Sequence, residues 1–422
     1  MPFGKLFRKP AHQLRKVAKP VLVVLAMTVF ALAQKESTIF TFKQANGSHP
    51  TASLVADSAG NLYGTTIEGG SSADGGTVFR LAPPTQGGGH WTQTVLYAFQ
   101  GGTTDGKQPS QPVAFDAAGN LYGTTAFGGA SNSGVIFELS PPSQPGGAWT
   151  ETVLYSFSDQ VSSSRLIFDS AGNAYGETQS EVYELSPPSS QDGTWTFTVL
   201  SQFTATPAFP VGGLAMDKSG NLYGTSGLGG TGHGSGCPGG DNCGFAFELV
   251  KPAVGGTWKT NVIYNFTGAN GDASTPDGGV VIHGGNHLYG TSAYGGNDIG
   301  DGTVFELSPG SNGSPWTETT LHQFDRNVEG FRPEGSVIFD AAGNLYSDTY
   351  FSHGASGGEV FELSPPAVQG NPWTITDLYN FTCGNDGCYT LTGLIFDKSH
   401  ILYGTSTYGG QGGWGVVFGI MP

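Results

Sequence analysis

Apolar and polar residues along this chain recur in blocks rather than in helical stripes. The most regular block runs Asp116-Ala-Ala-Gly-Asn-Leu-Tyr-Gly-Thr-Thr125, and its copies surround Tyr63, Tyr122, Tyr175, Tyr223, Tyr289, Tyr346 and Tyr403. The intervals average about 57 residues, room for four short strands and their turns. In the second unit the apolar runs predict strand a over Pro112–Asp116, strand b over Leu121–Thr125, strand c over Gly134–Leu139 and strand d over Trp149–Phe157. Strand a is apolar at successive positions, as in Val337-Ile338-Phe339 and Leu394-Ile395-Phe396, the pattern of a strand buried on both faces. Strand c carries pairs such as Val78-Phe79 and Val304-Phe305, whose aromatic is expected to pack between repeats. In the a-to-b turn, Asp116 is placed to accept hydrogen bonds from the turn backbone. Gly119 supplies the positive φ, and Asn120 tolerates similar geometry. Beyond residue 33 no window shows apolar spacing at three and four, and Gly or Pro interrupts nearly every candidate helix.

Seven a-b-c units are present, but only six strands d start at a tryptophan: Trp91, Trp149, Trp195, Trp258, Trp316 and Trp373. The missing strand lies at the other end, where Thr38-Ile39-Phe40-Thr41-Phe42 matches the strand-d ending Val95-Leu96-Tyr97-Ala98-Phe99. The expected fold is therefore all-β: a seven-bladed β-propeller of four-stranded antiparallel blades, closed by an N-terminal strand that completes the last blade. Closure pairs the ends that an open array would have to cap. One domain is expected over residues 34–422.

Leu121-Tyr-Gly-Thr-Thr125, a following Gly-Gly, Gly302-Thr-Val-Phe-Glu-Leu307 and the Leu-Tyr-x-Phe ending of strand d together resemble the GloVer-type tandem repeat of exported bacterial proteins. The resemblance covers nearly all of the chain after residue 33. It implies an extracellular setting and no established chemistry.

Gly (69) and Pro (25) make the chain turn-rich, yet its Phe and Tyr residues fall at fixed places in each repeat, which argues for a packed β protein. The first 33 residues differ in kind. Lys5, Arg8, Lys9, Arg15, Lys16 and Lys19 precede an apolar run from Val21 to Leu32, and Ala31-Leu32-Ala33 offers small residues for cleavage before Gln34. This reads as a secretory signal peptide. The run is short of the roughly 20 residues that a spanning helix needs, so no membrane span is expected after cleavage. Without this segment 11 basic residues face 33 acidic ones, a formal charge of −22 against −16 for the whole chain. Such a surface repels phosphate, which excludes nucleic acid and anionic bilayers as partners. A secreted monomer is expected, extracellular or periplasmic. The four cysteines form two close pairs, Cys237 with Cys243 and Cys383 with Cys388, read as local disulfides. Zinc held by the first pair with His233 and Asp241 is the alternative, although the spacing fits no familiar zinc pattern. No metal or other cofactor is expected.

Candidate functional residues are sought where the repeat fails. Arg165 precedes strand a of the third unit where other copies have small residues or proline, and Glu177 replaces a threonine in that unit. Asp348 replaces the corresponding threonine in the sixth unit, with Arg332 and Glu334 in the loop before it. A charged group built from Arg165, Glu177, Glu334 and Asp348 would orient a polar ligand. His283 and His287 stand at the usual Asp and Asn positions of the fifth turn and read as turn residues. The d-to-a and b-to-c loops are long and share one face, where loops on a rigid scaffold favour binding. The sequence thus predicts a noncatalytic binding or scaffold module for a glycan or an extracellular protein. A polysaccharide-active hydrolase or lyase working in the central depression is the alternative.

Overall fold

The computed structural model describes residues 36–422, apart from 86–88, 145, 159–163, 191–192, 204–211, 235, 238–241, 254–255, 298–299, 312–313, 355, 369 and 391. The proposed signal segment and Asp241 lie outside the described residues. The chain divides into a unit Met1–Ala33 and a unit Gln34–Pro422, and the second is the propeller.

Seven four-stranded antiparallel sheets form the blades, each with its strands in the order a-b-c-d. In the second blade strand a is Ala114–Phe115, b is Leu121–Thr124, c is Val135–Ser140 and d is Thr150–Ser156. The last blade takes its outer strand from the other end of the chain. Glu36–Thr41 pairs antiparallel with Val416–Ile420, with Glu36 opposite Ile420 and Thr41 opposite Val416. In all seven blades the register between strands c and d shifts by one residue at the same place, as between Val78 and Phe79. The extra residue bends and twists the outer strand.

The inner hairpin shows why its motif recurs. Asp116 Oδ1 accepts from the backbone N–H groups of Ala118 (2.8 Å) and Asn120 (2.9 Å), and Oδ2 accepts from Asn120 Nδ2 (2.8 Å) and the Tyr122 hydroxyl (3.3 Å). Gly119 takes φ +88°, which L residues rarely adopt. Asn120 needs no positive φ. Its contribution is the amide that closes the aspartate's second oxygen. The glycine of Leu-Tyr-Gly-Thr has a separate cause: a Cβ on Gly123 would lie 2.5 Å from Cζ of Phe137, whose ring covers it from strand c.

Those strand-c rings make the contacts between blades. Phe99, just after strand d of the first blade, meets Phe137 of the second with centroids 5.1 Å apart. The same contact recurs at every junction, including Phe42 with Phe79 across the closure (5.1 Å). The strand-d tryptophans add a second set, with Trp91 on Tyr403 and Trp195 on Tyr122. Strand a departs from expectation. It is two residues long in six blades and only part-buried, because one face lines a central shaft of about 380 Å³ that includes Val55, Ala114, Ile167, Val281, Ile338 and Ile395. Seven blades leave an axial space that the inner strands cannot fill.

Phe42 is fully buried at the closure. Phe42→Ala is expected to cost about 3–5 kcal/mol in denaturant unfolding. Deleting residues 37–42 should lower the melting temperature far more than trimming an ordinary terminus. An unchanged midpoint in the deletion would remove the closure as a source of stability.

Candidate functional site

The seven d-to-a loops converge on the axis above the shaft and form a polar collar of about 160 Å³. Each blade contributes to it: Thr51, Gln111, Arg165, Gly212, Asp277, Glu334 and Thr392. The loops are held by a repeated backbone device. His49, Gln108, Thr275, Arg332 and Tyr389 all adopt φ between 55° and 60°. This left-handed conformation costs an L residue about 1–2 kcal/mol. Backbone hydrogen bonds on both sides offset the strain. Arg332 N–H donates to Asp301 O (2.8 Å) of the preceding blade, while Arg332 O accepts from Tyr350 N–H (2.9 Å) of its own. Tyr389 does the same with Gly357 O (2.8 Å) and Thr407 N–H (3.2 Å). These residues therefore present their side chains at set positions around the mouth.

A second device latches four of the blades to the next, while Thr124 of the second blade makes no such bond. The first threonine of the Gly-Thr pair donates to a carbonyl in the next d-to-a loop: Thr65 to Gln111 O (3.2 Å), Thr225 to Pro276 O (2.9 Å), Thr291 to Gly335 O (2.9 Å) and Thr405 to Ala52 O (3.1 Å). Glu177 and Asp348 occupy this position in the third and sixth blades. A carboxylate accepts where a hydroxyl donates, so the latch runs in the opposite sense. Glu177 Oε2 accepts from Gly213 N–H (3.1 Å). The N–H groups of Gly393 and Thr392 face Asp348 and hold its charge, short of full hydrogen-bond geometry. Both side chains are fully buried.

The structure thus divides the four candidates. Arg165 and Glu334 line the collar, whereas Glu177 and Asp348 sit behind it between blades. Burial pushes Glu177 up to about 8 against the pull of the Gly213 amide, Ser164 and Arg165. It pushes Asp348 up to about 7, with the Gly393 and Thr392 amides opposing and Glu334 adding. Arg165 is lowered by burial, with Glu177 opposing, and its Nε has no hydrogen-bond partner among the described residues. Glu334 is raised by burial and pulled back by Arg332, whose Nη2 lies 2.7 Å away. Asp277 was not singled out in the sequence, because Thr275-Pro-Asp-Gly278 reads as an ordinary turn. It faces the collar, pushed up to about 7 by burial and by Glu334, with Arg332 opposing. The two histidines lie in the inner turn at the other end of their blade. His283 stacks on Phe339 at 4.0 Å and His287 Nδ1 meets Glu306 Oε1 at 2.6 Å.

An arc of rings borders the collar over blades five, six, seven and one. Arg332 lies over Tyr294 (5.1 Å) and Tyr350 (5.2 Å), and Tyr350 packs on Tyr389 (4.8 Å). Tyr389 meets Tyr408 (5.9 Å), Tyr408 meets His49 (4.9 Å), and His49 meets Trp414 (5.7 Å). Tyr408 is 47% exposed. The individual aromatics were visible in the sequence, but their common face depends on the loop geometry.

The model of the Gloeobacter/Verrucomicrobia repeat matches residues 26–237 and 235–422. The chain belongs to this repeat family. No curated protein matches it in sequence. Among solved structures, this repeat protein is similar to virginiamycin B lyase from Staphylococcus aureus, at 10% identity and a TM-score of 0.51 over 92% of this chain and 99% of that one. A carbohydrate-active enzyme of family AA12 from Trichoderma reesei is 14% identical over 93% and 96%, with a TM-score of 0.43. A gluconolactonase from Xanthomonas campestris is 12% identical over 92% and 89%, with a TM-score of 0.41. At such identities the likeness shows the propeller fold alone.

In this member of the repeat family both cysteine pairs are bonded locally, Cys237 to Cys243 and Cys383 to Cys388, which fits an oxidising compartment. Each disulfide supports the mouth. Cys243 O accepts from Thr275 N–H (2.8 Å), two residues before Asp277, and Cys388 exchanges backbone hydrogen bonds with Tyr408 (2.9 and 3.1 Å). Among the described residues no cluster of three His, Cys, Asp or Glu side chains could hold a metal ion.

The buried carboxyls set a pH dependence. An unfolded glutamate ionises near about 4.3, whereas folded Glu177 holds its proton to about 8. Between these values the native state binds the extra proton, so stability falls as pH rises. The contribution is whole below the unfolded value and lost as pH passes the folded one. Asp348 and Asp277 act in the same direction. Melting temperature should therefore drop from about pH 5 to about pH 8, with a shallower drop in Glu177→Gln. Equal slopes in the two proteins would contradict the buried, protonated carboxyl.

Proposed function

We propose that the protein is an exported, noncatalytic glycan-binding propeller that recognises its ligand through the long-loop face. The observation that carries this reading is the ring arc beside a collar of hydroxyl, amide and carboxyl groups. A sugar offers apolar C–H faces to aromatic rings and hydroxyls to polar side chains. Tyr389 and Tyr408 provide the first kind of contact, and Ser53, Ser110, Gln111 and Ser336 the second. A tyrosine supplies this area at low entropic cost and keeps a polar tip for hydrogen bonding. The collar is small against ordinary ligand pockets of about 300–1,000 Å³, so it takes one end or edge of a glycan while the rest lies across the arc.

Export rests on the basic and apolar pattern of residues 1–33 and on the two disulfides. Among the described residues no helix is long and apolar enough to cross a membrane. Sequencing of the secreted protein is expected to start at Gln34.

Turnover in the central depression is the competing reading, and Asp277 and Glu334 are the carboxyls at the cavity that would carry it. A glycan array followed by incubation with the bound sugars separates the two. Binding without new reducing ends is expected. Tyr389→Ala and Tyr408→Ala should each weaken binding about tenfold, the scale of one lost aromatic contact. Unchanged affinity in both variants would remove the arc from recognition, and product release abolished by Asp277→Asn would establish the enzyme.

A further inference from the structure

Two arginines and four carboxyl groups gather at or just behind the collar, and pairing each arginine with one carboxyl leaves Asp348 and Asp277, of which only Asp277 lines the cavity. Arg332 is held by Glu334 at 2.7 Å and lies over the Tyr294 and Tyr350 rings. Arg165 faces Glu177, the charged neighbour that opposes the lowering of its pKa. Asp348 is enclosed between blades and faced by the amides of Thr392 and Gly393. Asp277 has no such arrangement. Its carboxyl lines the cavity, and among the described residues no hydrogen bond or ion pair reaches it. Its charged neighbours are Glu334, which repels it, and Arg332, which Glu334 already engages.

A buried carboxylate without a partner is costly unless something neutralises it. Partial burial and the neighbouring Glu334 hold Asp277 up to about 7. A cation at the mouth would neutralise it by ion pairing. The charge of the whole chain favours the same sign of ligand, since 33 acidic residues stand against 17 basic ones.

We infer that the glycan recognised by this face carries free amino groups, with one ammonium seated on Asp277 and its sugar ring against the neighbouring aromatic arc. The inference rests on the glycan-binding reading and adds the ligand class to it. Several features select the amine. An acetamido group in the same place would offer one neutral N–H and a bulky acetyl, with no charge to set against Asp277. A hydroxyl would donate one neutral hydrogen bond where an ammonium offers charge-assisted ones. A uronate or sulfate ester would meet the excess of carboxyls and be repelled. The ring is within reach, because the arc and collar share their loops: Arg332 touches Tyr350 and also holds Glu334, and Glu334 in turn acts electrostatically on Tyr350.

The test is calorimetric titration of the full secreted chain with three β-linked tetramers that differ only at the second carbon of each ring: glucosamine, N-acetylglucosamine and glucose. The glucosamine tetramer is expected to bind at least about tenfold tighter than the other two, the scale of a charge-assisted hydrogen bond. Asp277→Asn should erase that preference by weakening the glucosamine tetramer most, while Asp277→Glu restores part of it. Melting temperatures of both variants establish that they are folded. Equal affinity for the three tetramers, or an unchanged preference in folded Asp277→Asn, overturns the amine inference and leaves glycan binding standing. No binding of any tetramer, with Asp277-dependent binding of oligolysine in its place, overturns both in favour of a basic peptide.

Discussion

Seven times around the ring, the aromatic residue that follows strand d of one blade meets the strand-c aromatic of the next, with centroids 4.8 to 5.8 Å apart. The rest of the structure depends on this contact. Each fully buried ring contributes about 1.5–3 kcal/mol by burial, and the edge-to-face or tilted pairing adds about 0.5–1.5 kcal/mol. In six blades the ring lies over the glycine of strand b, where a Cβ would collide with it, and in the sixth it lies opposite Ser347. The ring needs a partner at the seam, which the N-terminal strand supplies through Phe42. Because every junction uses the same contact, the blades keep equal spacing and the seven d-to-a loops meet on the axis.

With the scaffold held by identical junctions, the loops are left to vary. The left-handed positions illustrate the division of labour: their backbones are bonded alike, yet their side chains are His49, Gln108, Thr275, Arg332 and Tyr389. Local strain is compensated by the blades on either side, and chemistry differs from blade to blade. The latches are more conservative. Glu177 and Asp348 break the repeat without reaching the cavity; Glu177 inverts the hydrogen-bond polarity of its junction, and Asp348 turns a carboxylate toward the amides of its own.

Much of the fold was legible because its periodicity is set by packing. Blade number, strand order within a blade, closure through Thr38–Phe42 and the local disulfides all follow from residues that recur or fail to recur at fixed places. The strand-a pattern predicts burial on both sides, whereas one face lines the shaft, because an apolar face on a channel has the same composition as an apolar face on a neighbour. The site was legible only in part. Comparing units position by position finds Arg165 and Glu334 but also Glu177 and Asp348, since a sequence departure does not tell whether a side chain enters the cavity or the junction. Asp277 gave no such signal, as Pro-Asp-Gly is common turn chemistry. Its importance comes from the absence of a partner, which is a property of three-dimensional placement.

The central claim is that ligand recognition belongs to the collar and its aromatic arc. A crystal structure of the protein soaked with the glucosamine tetramer tests it most directly. The account predicts a sugar ring against Tyr389 and Tyr408 with an amine nitrogen within hydrogen-bond distance of Asp277. A sugar bound instead among the strand-d tryptophans on the opposite face, with the collar unchanged, would contradict it.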